Sequence, residues 1–214
     1  MKRFVINLKR RPDRLDKFFE RCPYSPETFE VIQAFDGRNA HDENKKERKL
    51  VSKFPKDRQP GAIGCSISHL RIWKRMVNEN IPIAMIFEDD AYFDPKFSEF
   101  METLELPENI SILFFGGRFT PGFVVPSQAM IPVNEKVYQH NDRCWNNRLH
   151  ERTTHGYILR LPLARFLIEL FNISQSPQPV DQFIIHSLKG IGLPVHSTYP
   201  LVCWSPIVGD SDIR

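Results

Sequence analysis

The chain has 214 residues, 41% hydrophobic and 26% charged, with a formal net charge of +3. That balance excludes a disordered or fibrous chain, and the length suffices for one domain with a substantial hydrophobic core. The small positive charge admits anionic ligands without marking a nucleic-acid binder, and the longest apolar stretch, residues 81–87, is far too short to span a bilayer.

Residues 3–8 read as a short buried strand, closed by Asn7 and Lys9 too early for a signal peptide. Pro12 suits the first turn of a helix carrying Leu15, Phe18 and Phe19. Residues 28–35 form a second expected strand, stopped by the turn pair Asp36-Gly37. Residues 38–58 are dense in charge, with Lys45, Lys46, Glu47, Arg48 and Lys49 in a row, the pattern of a solvated helix face. Pro60-Gly61 opens the clearest helix, with Ile63, Ile67, Leu70, Trp73 and Val77 on one apolar stripe. A buried strand over 83–87 runs into Glu88-Asp89-Asp90. Asp94-Pro95 reads as an N-cap and first helical residue, and residues 110–115 as another strand. Residues 118–152 change to short apolar pieces, turns and prolines, which predicts a flap of short strands and loops. A strand over 154–160, helices over 162–171 and 180–188, and a late strand over 194–199 complete the pattern. Alternating strands and helices predict an α/β fold, one domain over 1–214 with the flap inside it. Cys22, Cys65, Cys144 and Cys203 lie far apart, so neither a zinc site nor a disulfide framework is expected, and reduced thiols point to a cytoplasmic setting.

Four clusters could carry chemistry. Glu88, Asp89 and Asp90 end an apolar strand, where α/β proteins bind ligands. Crowded carboxylates need a neutralising partner, and a hard divalent cation bridging to a diphosphate fits, as does a solvated acidic turn. The run from Asn7 to Arg14 sets basic side chains beside a helix start, suited to an anion or nucleotide or to an ordinary charged surface. No glycine-rich dinucleotide or P-loop motif is present. Gly61 and Gly64 in a first helical turn permit close approach to the backbone. Ser66 and His69 share a helical face, but no nucleophile elbow accompanies them, and a structural histidine is the plainer reading. Asp181 is either the N-cap of its helix or a carboxylate held at a cleft edge.

Taken in order, residues 4–14, 34–37, 60–69, 86–91, 154–158 and 179–182 resemble glycosyltransferase family 25, which includes lipopolysaccharide sugar transferases and procollagen galactosyltransferases. The resemblance implies a GT-A-like fold with a mostly parallel central sheet flanked by helices. It also implies a UDP-sugar donor, Mn²⁺ or Mg²⁺, inversion at the transferred sugar, and a glycan, glycolipid or protein acceptor. Carried over by position, it makes Asp90 a direct metal ligand, with Glu88 at the metal and Glu88 and Asp89 at ribose or outer-shell water. Asn7, Leu8, Arg10, Arg11 and Arg14 would line the nucleotide side, and Phe35, Asp36 and Gly37 the base or ribose edge, with Gly61, Ser66 and His69 beside them. His155, Gly156 and Tyr157 would face the donor sugar, Asp181 would act as base, and His196 is a further metal ligand or a surface histidine. Trp145, in the flap, could stack on an acceptor sugar or anchor the flap. No transmembrane segment is expected, which leaves room for peripheral membrane association. A metal-dependent phosphohydrolase would leave the opening motif unexplained. A non-catalytic nucleotide-sugar-binding module is the other alternative, against which the intact acids and Asp181 count.

Overall fold

The computed structural model describes residues 1–116, 130–140 and 153–205. The chain begins with β1 (Lys2–Asn7), α1 (Pro12–Arg21) and β2 (Phe29–Gln33), the last ending before Phe35. Pro12 occupies the start of α1, where its missing N–H and preset φ are tolerated. The charged run forms α2 (Lys45–Val51), but it is more than a solvated face. Arg71 draws Glu43 and Glu47 inward at 2.6 and 2.7 Å and stacks over Phe35. α3 (Pro60–Asn78) buries Ile63, Ile67, Leu70 and Trp73 as expected, and Met76 rather than Val77 completes its buried side.

β3 (Ile83–Glu88) follows, then β4 (Tyr92–Phe93) and α4 (Phe97–Glu102). Asp94 is not the cap of α4: Lys96 holds that position, and the Asp94 carboxylate instead accepts from the Lys96 N–H at 2.8 Å in a turn before the helix. β5 (Ile112–Phe114), β6 (Met130–Pro132), β7 (Val137–His140) and β8 (Gly156–Arg160) lead to α5 (Leu161–Ile173) and α6 (Val180–Gly190), with β9 (His196–Thr198) and β10 (Cys203–Trp204) last. The described part of the expected flap is the antiparallel β6–β7 hairpin; Cys144 and Trp145 lie outside the described residues.

Eight strands form one mixed sheet in the order β2-β1-β3-β8-β5-β9-β7-β6, and β4 pairs separately with β10. The pairings run β1, β2, β3, β5, β9 and β6 in one direction, with β8 and β7 reversed. The central strands are apolar at every position because both faces are covered. Phe4, Ile6, Ile86, Phe114 and Tyr157 face the layer of α3, α5 and α6. Val5, Met85, Phe87, Leu113 and Ile158 face the layer of α1 and α4. This is the GT-A-like arrangement expected from the sequence.

Candidate active site

The strand order brings the motifs together. β1, β2 and β3 are parallel, so residues 7–8, 34–37 and 88–90 leave the sheet at one edge. β8 runs antiparallel to β3, so the residues just before it, 153–155, arrive at that same edge. β1 lies between β2 and β3, which puts the edge at a switch point of the winding, where open α/β sheets leave a crevice. Two cavities occupy it. One is lined by Leu8, Arg10, Phe35, Asp36, Gly61 and Asp90 among others. The second is larger and is lined by Arg58, Gln59, Thr154, His155, Asp181 and Gln182 among others. Glu88 and Cys65 line both and form their common wall.

The three consecutive acids turn three ways. Glu88 reaches toward α3: its Oε1 accepts from Thr154 Oγ1 at 2.5 Å and His69 Nε2 at 3.3 Å, with Cys65 Sγ at 3.8 Å. Burial alone would raise its pKa, but His69, His155 and Thr154 outweigh that and hold it below the ordinary glutamate range. Asp89 turns toward α1, where Asn7 Nδ2 donates to Oδ2 at 2.7 Å and the Arg14 guanidinium pairs with Oδ1. Burial nevertheless pushes Asp89 up to about 7, against the pull of Arg14. Asp90 faces the crevice. Its Oδ2 lies 3.4 Å from Arg14 Nη2 and its Oδ1 3.6 Å from His155 Nε2. Those last two atoms are both buried and make no hydrogen bond. One ligand atom from each of Glu88, Asp90 and His155 lies within 4.8 Å of the others, a carboxylate-rich set that suits a hard divalent cation.

The nucleotide-side residues divide into those that line the first cavity and those that support it. Leu8, Arg10, Arg14, Phe35, Asp36, Gly37 and Gly61 line it. Asp36 is fixed by Arg10 Nε and Asn39 Nδ2, each at 2.8 Å, and by the Arg38 N–H at 3.1 Å. Burial raises its pKa, but these donors prevail and lower it. The backbone here is closely apposed to α3. A Cβ on Gly64 would stand 2.5 Å from the Phe35 carbonyl oxygen, and one on Gly37 would overlap the Pro60 carbonyl, so both positions require glycine.

Several expectations need correction. Asn7 supports Asp89 from behind instead of lining the cavity. Arg11 also turns away from it and pairs with Asp13 at 2.9 Å. Ser66 is buried and donates to the Ala62 carbonyl within α3, as helix serines do when no external partner is offered. His69 and Tyr157 are fully buried beneath the site, so neither touches a ligand in the crevice. Gly156 is a packing position, where a Cβ would meet Cys203, Phe115 and Phe87. Asp181 is not the N-cap of α6, since Pro179 holds that place; its carboxylate lines the second cavity and accepts from the Gln182 N–H at 2.8 Å. Sequence reasoning missed Arg58, Cys65 and Thr154. Cys65 carried a signal, standing four residues before His69 on the same helical face, and Thr154 opens the segment 154–158 that carries the resemblance, but neither was given a role of its own.

His196 is the clearest displacement. β9 lies three strands from β3 in the sheet, roughly 14 Å across at ordinary strand spacing. It does not belong to the set formed by Glu88, Asp90 and His155, in which His155 supplies the histidine. It is not a surface histidine either: the side chain is buried and its Nδ1 has no hydrogen-bond partner. Burial lowers its pKa to about 4. The unfolded chain, with an ordinary histidine near 6.5, therefore binds the extra proton between those values, and stability falls as pH drops from about 6.5 toward 4. Urea unfolding across that window should show the slope, and His196→Gln should flatten it; an unchanged slope in the variant would assign it elsewhere.

A family model described as glycosyltransferase family 25 (LPS biosynthesis protein) matches residues 1–184. The chain belongs to that family. A glycosyltransferase 25 family member from Aedes aegypti is 28% identical over 198 residues, covering 85% of this chain and 30% of the relative. The human protein named procollagen galactosyltransferase 2 is 26% identical over 195 residues, covering 85% of this chain and 29% of that protein. This family 25 chain thus spans about a third of the length of those relatives. Among solved structures, residues 1–349 of S. aureus TarS in complex with UDP-GlcNAc superimpose with a TM-score of 0.50 at 12% identity, over 99% of this chain and 60% of that one. That likeness is one of fold. No helix among the described residues is long and apolar enough to cross a membrane.

Proposed function

We propose that the chain transfers a hexose or N-acetylhexosamine from a UDP-sugar to a hydroxyl of a glycan, glycolipid or protein, with inversion and with Mn²⁺ or Mg²⁺ bound. The observation that carries this reading is the pair of cavities meeting at Glu88, with Asp90 lining the smaller one and His155 and Asp181 the larger, and with Asp90 Oδ1 and His155 Nε2 buried without a hydrogen bond. The names of the human and S. aureus proteins, one a galactosyltransferase and the other bound to UDP-GlcNAc, support a nucleotide-sugar donor.

In this reading the uridine and ribose occupy the cavity beside Phe35 and Asp36, and the sugar extends past Glu88 into the larger one. Glu88, Asp90 and His155 would hold the cation, which when bound supplies positive charge at the departing diphosphate. Arg14 keeps Asp89 and Asp90 from repelling each other and fixes both orientations before substrate arrives. Arg10, tied to Asp36, sets the width of the nucleotide cavity. Asp181 receives the proton of the acceptor hydroxyl as that oxygen attacks the anomeric carbon from the face opposite the leaving diphosphate. The sugar passes through an oxocarbenium-like state, and interactions that strengthen there lower the barrier.

Nucleotide release with UDP-Gal, UDP-Glc and UDP-GlcNAc, measured with Mn²⁺ and with or without saccharide acceptors, tests the proposal. The expected result is acceptor-stimulated release from one of these donors and a β-linked product by NMR. Hydrolysis of simple phosphoesters would favour the phosphohydrolase, and tight UDP binding with no turnover on any donor would favour a binding module.

A further inference from the structure

Beneath the crevice lies a line of buried polar groups that touches no ligand position. Trp73 Nε1 lies 3.2 Å from the Tyr157 hydroxyl, that hydroxyl 2.8 Å from His69 Nδ1, and His69 Nε2 3.3 Å from Glu88 Oε1. Trp73, Tyr157 and His69 are each fully buried, so water does not substitute for any of them.

Donor and acceptor chemistry gives the line a direction. An indole N–H only donates, so the Tyr157 oxygen accepts from Trp73. An ionised carboxylate only accepts, so His69 must present Nε2–H to Glu88. A neutral imidazole carries one such proton, which leaves Nδ1 as the acceptor and the Tyr157 hydroxyl as its donor. Burial holds the phenol far above its ordinary pKa, so that donor keeps its proton. The hydrogen bonds from His69, Thr154 and Cys65 all converge on Glu88 Oε1. Oε2 takes none of them, although Glu88 lines both cavities.

We propose that His69 is a positioning residue, locked as its Nε2–H tautomer by Tyr157 and Trp73, and that this buried chain turns Glu88 so that Oε2 is the oxygen offered to the cation. The role rests on the reading of Glu88 as part of a cation and diphosphate site. The tautomer itself does not. The chain also gives a physical reason for a histidine on α3, a tyrosine on β8 and a glutamate ending β3 to occur together: each is the hydrogen-bond complement of the next.

Long-range ¹H–¹⁵N spectra of the metal-free protein, with His69 assigned through His69→Gln, read the tautomer directly. The expected result is a protonated Nε2 and an unprotonated Nδ1 that accepts a hydrogen bond. In Tyr157→Phe the Nδ1 signal should move to that of a non-bonded nitrogen, and Mn²⁺ affinity should fall about tenfold, the loss typical when a ligand's supporting partner is removed. Trp73→Phe, which leaves the Tyr157 hydroxyl in place, should give a smaller loss in the same direction. A protonated Nδ1 in the parent protein would overturn the proposal without any variant, as would unchanged Mn²⁺ affinity in a folded Tyr157→Phe. The expected tautomer in a protein that binds no Mn²⁺ would overturn the role assigned to Glu88. UDP titration without metal would then judge nucleotide binding separately.

Discussion

Asp90→Asn is expected to abolish Mn²⁺-dependent transfer, lowering turnover about a hundredfold or more, the scale seen when one fixed electrostatic stabiliser is lost. The substitution keeps the shape of the side chain and removes the negative charge that faces the crevice. Asp90 Oδ1 makes no hydrogen bond in the folded chain, so little native structure depends on it. The metal-free variant should therefore melt close to the parental temperature: it loses the charge that Oδ2 presents to Arg14 at 3.4 Å, but a like charge beside Asp89 goes with it. What should vanish is the stabilisation by added cation, which for a ligand at a hundred times its Kd is about 2.7 kcal/mol. Thermal melts with and without Mn²⁺ separate these effects. Equal stabilisation of parent and variant by Mn²⁺ would remove Asp90 from the site.

Asp181→Asn should give a different signature. Transfer is expected to fall by roughly 10²–10⁴, the usual contribution of a positioned general base, while UDP affinity stays unchanged. The asparagine Oδ1 can still accept from the Gln182 N–H, as the aspartate does at 2.8 Å, so the first turn of α6 should survive. Pro179, which holds the cap position, is untouched. Transfer assays alongside isothermal titration of UDP test the point. Near-normal transfer with a lowered melting temperature would reduce Asp181 to a helix-start residue.

These two predictions fall on residues that the sequence singled out, yet their neighbours show where sequence reasoning stopped. An apolar run ending in Glu88-Asp89-Asp90 announces a strand that delivers acids to a sheet edge. It does not announce that Asp89 is bound inward by Asn7 and Arg14, because those partners come from 82 and 75 positions earlier in the chain. Likewise the His155-Gly156-Tyr157 string reads as one motif, but β8 is covered on both faces, so neighbouring residues part company. Tyr157 points into the layer under α3, Gly156 packs on the other side, and His155, just before the strand, stays at the edge. Arg58 gave no signal, since a single arginine in a charged run is indistinguishable from its solvated neighbours until the turn before α3 places it against the second cavity.

By itself the sequence determined the family, the alternation of strands and helices, the proline-started helices and the set of acids on which the proposed chemistry rests. All of these depend on local pattern: apolar periodicity, turn residues and short motifs whose members are close in the chain. Only the tertiary structure decided that His155 and not His196 joins Glu88 and Asp90, and that His69 and Tyr157 lie beneath the site. Those outcomes depend on strand order and on which face of the sheet each residue enters. Both are set by the packing of distant segments, for which spacing along the chain carries no signal.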